Sequence, residues 1–85
     1  MIKYVYAFKN VKSSNFGNPI YEVISSDNAV EAFSVAAKEA LAAERERMKE
    51  LDLYYLGEFD TKTGKSNLLE PTFLISLGEV LSDGK

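Results

Sequence analysis

The residues of this chain that could do chemistry are aromatic rings placed beside lysines, first near the N-terminus and again in a later hairpin. Single-stranded nucleic acid is commonly held by such sets, because bases stack on rings of a sheet and lysines contact phosphates. This pattern suggests a surface on which tyrosines stack bases. The candidate residues are Lys3, Tyr4, Tyr6, Lys9, Lys12, Tyr54 and Lys65.

The aromatic residues allow a second interpretation. Rings that recur at a period of two more often form the core face of a small sheet. If a helix covers Tyr4 and Tyr6, the opposite face with Lys3 and Lys9 is left open. The pattern favours core positions for most rings, with Tyr54 and one N-terminal tyrosine exposed. The lysines could equally do no more than solvate an edge strand and a loop.

The residue types that most catalysis at neutral pH requires are missing or scattered. The chain has no His and no Cys, which removes Ser-His and Cys-His nucleophilic pairs and thiolate metal ligands. Its carboxylates are spread over a charged helix and turns, without the spacing of a calcium loop. We therefore expect a protein that is not an enzyme and uses no cofactor and no metal.

One short segment resembles a phosphate-binding loop only at its end. Gly64-Lys65-Ser66 has the last residues of that motif, which also needs a Gly five positions before its final Gly. That position is Phe59, and Glu58 and Asp60 beside it would repel a phosphate. The segment is better explained as a turn.

The length and composition indicate a single small domain over residues 1–85. Hydrophobic residues make up 46% of the 85 residues, which is enough for one modest core. No disulfide can add stability, so self-association is the remaining common route and we expect a homodimer. No apolar run is long enough to span a bilayer and no secretory signal is recognisable, so we expect a cytoplasmic protein without membrane contact.

The net charge is −3, which argues against strong nonspecific binding to nucleic acid. The charge is unevenly distributed, however. Residues 1–21 contain three lysines and no acid, whereas the rest of the chain is net negative. A basic N-terminal patch on an acidic body is therefore possible.

The first half of the chain predicts two strands followed by a helix. Ile2–Phe8 alternates with period two, and a loop rich in turn formers, Val11–Pro19, separates it from a short strand at Ile20–Ile24. Capping residues at Ser25–Asn28 then start one long helix that runs to about Glu50. Its second half is charged nearly all round, so we expect that half to project or to meet a partner.

The second half predicts a hairpin and a short helix. Leu53–Phe59 forms a strand that turns between Asp60 and Gly64 and returns as a strand at Ser66–Leu69. Glu70-Pro71 should end that strand. Thr72–Leu81 then forms a helix, and residues 82–85 form a polar tail that frays. The fold class is α+β, with an antiparallel sheet of three or four strands in the order β-β-α-β-β-α, one long helix on a face and a short C-terminal helix.

The hairpin also carries a longer motif, which consists of Leu53-Tyr54, Gly57-Glu58-Phe59-Asp60 and Thr63-Gly64. It follows a tyrosine-rich N-terminal strand and a helix beginning Ala29 to Phe33, and it precedes an apolar tail after Pro71. This motif and this order resemble those of the small nonstructural protein of gokushovirus-type microviruses, which are phages with single-stranded DNA genomes.

The resemblance implies a role rather than a mapped site. It implies a nonstructural protein of the host cytoplasm that binds single-stranded DNA, weakly or as a multimer, and assists viral genome synthesis or packaging. The alternative is a protein-interaction module, in which the charged helix around Glu44 to Glu50 or an alanine stripe contacts a viral or host replication or capsid component. The acidic net charge favours this alternative.

Overall fold

The sheet that dominates the fold has four antiparallel strands in the order β2-β1-β3-β4. The computed structural model describes residues 1–82. The elements are β1 (Ile2–Asn10), β2 (Ile20–Glu22), α1 (Ser26–Lys38), α2 (Ala42–Met48), β3 (Leu51–Asp60), β4 (Ser66–Ser76) and α3 (Leu77–Leu81). The predicted α+β class, the antiparallel sheet and the order of the strands are confirmed, whereas the chain has three helices instead of the predicted two. Within residues 1–82, no helix combines the length and the apolar composition that crossing a membrane requires.

The prediction of one long helix is wrong, because the helical segment breaks between Lys38 and Ala42. Leu41 has an extended backbone (φ −65°, ψ 155°) and starts a second, shorter helix. The guanidinium of Arg45 donates a hydrogen bond of 3.3 Å to the carbonyl of Lys38, which supplies a partner for the end of α1. The charged segment therefore forms a separate short helix, which has no buried residue and leads into β3.

The second hairpin strand is longer than predicted. Glu70-Pro71 does not end it, because β4 continues to Ser76 and only Leu77–Leu81 is helical. β4 lies at the edge of the sheet, where the missing N–H of a proline costs little. The register also slips here, since Gly57 pairs with Leu68 while Tyr55 pairs with Thr72. The residues between them bulge out of the ladder and accommodate Pro71.

The predicted fraying of residues 82–85 falls almost entirely outside the described residues. Ser82 is described, and it forms two hydrogen bonds with α3. Its N–H donates to the carbonyl of Gly78 at 3.0 Å and its hydroxyl donates to the carbonyl of Glu79 at 3.2 Å.

The core lies between the sheet and α1. Tyr6 of β1, Leu53 of β3 and Ala29 of α1 are fully buried and pack together. Phe33 of α1 meets the rings of Tyr6 and Phe8 edge-on, with centroids 5.8 and 5.6 Å apart. The face of the sheet that contains Tyr4, Tyr6 and Phe8 is therefore the covered one. We call the opposite side the open face.

Candidate nucleic-acid interface

The pairing of β1 with β3 determines which side chains share the open face. Directly paired residues of an antiparallel sheet point to the same side. Lys3 pairs with Phe59, Ala7 with Tyr54 and Lys9 with Asp52. Leu56 of β3 is an extra residue, and it forms a bulge opposite the step from Val5 to Tyr6. Because of this bulge, paired residues of the two strands still point to the same side of the sheet. The open face thus receives lysines and aromatic rings from the same two central strands.

Three rings form one group at one end of the open face. Tyr54 lies between Phe16 and Phe73, with ring centroids 5.2 and 5.7 Å away and near-perpendicular planes. We call Phe16, Tyr54 and Phe73 the Tyr54 cluster. The ammonium of Lys9 lies 5.6 Å from the Phe16 centroid and 5.8 Å from the Tyr54 centroid, within the range of cation–π attraction.

The loop between β1 and β2 positions Phe16 in this cluster. Phe16 forms an isolated antiparallel bridge with Lys9, and the N–H of Gly17 donates to the carbonyl of Phe8 at 2.8 Å. The side chain of Asn10 accepts from the N–H groups of Lys12 and Ser13, which fixes the start of the loop. The loop is therefore bonded back onto β1 and holds its ring against the sheet.

Two further rings form a second group toward the other end. Tyr21 of β2 and Phe59 of β3 meet edge-on with centroids 5.4 Å apart, and we call them the Phe59 pair. Lys3 lies directly opposite Phe59 in the ladder. Three of the five rings on the open face are unusually accessible for aromatic residues: Phe16 is 43% exposed, Tyr21 47% and Phe73 52%. An apolar and aromatic outer face of this kind typically marks a binding surface.

The structure places three predicted site residues on the open face and two on the covered face. Lys3, Lys9 and Tyr54 share the open face. Tyr4 and Tyr6 point to the opposite side, where Tyr4 is half-buried and Tyr6 is inaccessible. The prediction that Tyr6 stacks a base is therefore wrong. The alternative, in which the helix covers these tyrosines and leaves Lys3 and Lys9 open, describes the observed arrangement.

Tyr6 has a structural role in the core. Its hydroxyl donates a hydrogen bond of 2.5 Å to the carbonyl of Ile24, in the segment that leads from β2 into α1. Burial raises the pKa of Tyr6 to about 12, and the nearby Tyr55 hydroxyl and the carboxylate of Glu22 add to the effect. The pKa of Tyr55 is also raised, mainly by burial and then by Glu58. Both phenols are therefore neutral at physiological pH.

The other two predicted lysines lie at opposite ends of the sheet. Lys12 follows β1, and its ammonium lies 3.0 Å from the carboxylate of Glu50. This ion pair holds the pKa of Glu50 below its usual range. Lys65 lies in the exposed turn between β3 and β4, next to Ser66, which pairs with Phe59. Lys65 is thus at the end of the sheet that carries the Phe59 pair, whereas Lys12 is engaged elsewhere.

Four open-face rings were absent from the predicted site, namely Phe16, Tyr21, Phe59 and Phe73. Strict period two along β3 would place Phe59 on the face of Leu53 and Tyr55, and only the extra residue Leu56 moves it to the open face, so alternation did not indicate its position. Phe73 was also missed, because Pro71 made its segment resemble a helix. The position of Phe16 depends on a loop bonded to β1, for which the sequence offers no periodic signal.

The open face can stack planar rings and contact a few phosphates, and it is not densely charged. Asp52 lies opposite Lys9 and offsets part of its charge. In the part of the chain that the structure describes, no group of three or more acidic, His or Cys side chains is arranged to hold a metal ion. The arrangement provides hydrophobic and stacking contacts with limited electrostatic attraction.

A comparison with protein families identifies the chain as a phage protein. The sequence profile of the family described as phage ORF5 protein matches residues 3–80, which is nearly the whole chain. The chain belongs to this family. No curated protein and no solved structure matched it.

Proposed function

We propose that this protein is a nonstructural, non-enzymatic protein of a gokushovirus-type microvirus (Microviridae) that binds single-stranded DNA on its open face. It would act in the host cytoplasm during viral genome synthesis or packaging. The observation that carries the proposal is the side-by-side placement of five accessible or half-buried rings with Lys3 and Lys9 on the sheet face opposite α1. Membership of a phage protein family is consistent with this role.

Stacking rather than charge would supply most of the affinity. Base–aromatic stacking contributes about 1–3 kcal/mol per base and tolerates any sequence. Lys3 and Lys9 can neutralise only a few phosphates, and Asp52 opposes them. Binding should therefore be weak for one protomer and only moderately sensitive to salt. A homodimer, which we also propose, would strengthen it by presenting two open faces to the same strand.

The alternative function uses the helices, and one observation favours it. A groove of about 480 Å³ lies among α1, α2 and α3, with Lys38 and Arg45 and the ion pair of Lys49 with Glu46 beside Val80 and Leu81, so its charged lining is net positive. Leu41, at the corner between α1 and α2, is 78% exposed. An acidic segment of a viral or host protein with an apolar anchor would fit such a surface.

Titration of a labelled single-stranded oligonucleotide by fluorescence anisotropy tests the proposal. We expect saturable binding that prefers the single strand over a duplex of equal length and weakens with salt. The double variant Lys3→Gln/Lys9→Gln should bind several-fold more weakly. Its salt slope should fall by about 1.4, since each phosphate contact to a single strand contributes about 0.7.

A matched variant controls for net charge. Lys38→Gln/Arg45→Gln removes the same two charges from the helical side and should leave DNA affinity within twofold of the wild type. Equal losses in both double variants would contradict a site on the open face. Absence of binding at high micromolar protein and low salt would exclude direct DNA binding and leave the helix-mediated interaction.

A further inference from the structure

The rings of the open face fall into two separate groups. Among residues 1–82, no aromatic pair on this face connects the Tyr54 cluster with the Phe59 pair. Between them lie side chains without rings: Val5 and Ala7 are buried beneath their neighbours, and Leu68, which is exposed, pairs with Gly57. The open face therefore has two aromatic platforms separated by a stretch without rings.

The register of β1 gives the distance between the platforms. Phe59 and Tyr21 lie beside Lys3 and Val5, whereas Tyr54 and Phe16 lie beside Ala7 and Lys9. The midpoints of the two groups are thus four residues apart along β1, which corresponds to about 13 Å at about 3.3 Å per residue.

Each platform has its own lysine. The ammonium of Lys9 lies over the Tyr54 cluster, and Lys3 is paired with Phe59. In a strand that keeps duplex-like stacking, nucleotides advance about 3.4 Å per step, so an interval of about 13 Å corresponds to about four steps. A stacked strand of about five nucleotides could therefore place a base on both platforms, a more extended strand needs fewer nucleotides, and a dinucleotide could reach only one.

We infer that the open face holds one single strand at two stations, the Tyr54 cluster with Lys9 and the Phe59 pair with Lys3, and that a strand longer than a dinucleotide, about five nucleotides when stacked, is needed to occupy both. This inference rests on the proposed function and adds a minimum ligand length to it. Two linked stations make the second contact intramolecular, so affinity should rise abruptly once a strand spans them.

Competition by unlabelled oligothymidylates of two to ten nucleotides against a labelled ten-nucleotide strand measures this length dependence. We expect the affinity to rise at least about tenfold between two and six nucleotides. Beyond six nucleotides it should rise only in proportion to the number of binding positions.

Two single-ring variants test whether this rise in affinity with length requires both stations. Phe16→Ala removes an exposed ring from the Tyr54 cluster, and Tyr21→Ala removes one from the Phe59 pair. Each should weaken binding of an eight-nucleotide strand roughly 5- to 100-fold. Each should leave dinucleotide affinity within about twofold, because the other station remains available. Circular dichroism and urea unfolding confirm that both variants are folded.

The outcomes separate this inference from the function on which it rests. A smooth rise of affinity with length, with both variants weakened equally at every length, would mean a single site and would overturn the two-station arrangement alone. Lack of competition by any oligonucleotide, together with no binding of the labelled strand, would overturn DNA binding itself.

Discussion

Replacing Gly57 by Ala is expected to destabilise the protein by about 3 kcal/mol or more, from positive-φ strain and overpacking together. Gly57 has φ +141°, a conformation that side chains rarely adopt, and it lies in the bulged centre of β3. A Cβ atom there would overlap the carbonyl oxygen of Asn67 and lie 3.0 Å from Cα of Leu68. Both neighbours are backbone atoms of the adjacent strand, so the sheet itself would have to move.

Two other glycines provide graded controls for this prediction. Gly64 also has a positive φ of 77°, but a Cβ there meets nothing within 4 Å, so Gly64→Ala should cost only about 1 kcal/mol. Gly17 has room for a methyl group, with its nearest neighbour at 3.7 Å, so Gly17→Ala should be nearly neutral. Urea unfolding followed by circular dichroism ranks the three variants. Equal stability of Gly57→Ala and Gly17→Ala would show that β3 does not hold this close contact.

The second large effect is a loss of stability at alkaline pH that depends on Tyr6. Its pKa is about 12 in the folded protein and about 10 in the unfolded chain, so the folded state keeps the proton to a higher pH. The stabilisation is fully present below pH 10 and is lost as the pH rises through 12. The loss approaches 2–3 kcal/mol, at about 1.4 kcal/mol per pH unit between the two pKa values.

Tyr6→Phe isolates this effect from the titration of the lysines, which both proteins share. The variant lacks the hydrogen bond to Ile24 and should be about 1 kcal/mol less stable at pH 8. It also has no phenol to ionise, so between pH 10 and 12 its free energy of unfolding should become the larger of the two. Urea unfolding from pH 8 to 12 measures both curves. Curves that stay parallel would mean that the Tyr6 phenol is not held neutral by the fold.

The sheet was predictable because its signals are local. Alternation with period two marked β1 and β3, and the Asp60–Gly64 segment marked the hairpin turn between β3 and β4. The turn forms as those residues suggest, since the carboxylate of Asp60 accepts from the N–H of Lys62 at 2.9 Å and Gly64 has a positive φ. Each of these features depends on a few neighbouring residues and on no distant contact.

The errors arose where the tertiary structure overrides local preference. Glu39 to Ala43 are good helix formers, and none of these residues predicts the break between α1 and α2. The chain must nevertheless turn back there to begin β3 at Leu51. Pro71 led to the opposite error, because it predicted the end of a strand that in fact continues to Ser76. The effect of a proline depends on whether its strand lies at an edge or in the centre of the sheet.

The candidate site was half predictable for a related reason. The sequence showed that lysines and rings alternate, and it offered two sheet faces without indicating which one a helix covers. Burial of Tyr6 beneath Phe33 decides the question, and this contact joins residues far apart in the chain. Lys3, Lys9 and Tyr54 were therefore found, whereas Phe59, which lies beyond the bulge in β3, and the rings from the loop, β2 and β4 required the assembled sheet.

The bulge at Glu70-Pro71 also protects the protein from aggregation. β4 is eleven residues long and lies at an open edge with Leu68 and Leu69 exposed, which are properties of a template for intermolecular β-pairing. The charge of Glu70, the missing N–H of Pro71 and the slipped register divide this edge into two short segments. These interruptions disfavour the addition of a long, continuous strand from a second molecule at this edge.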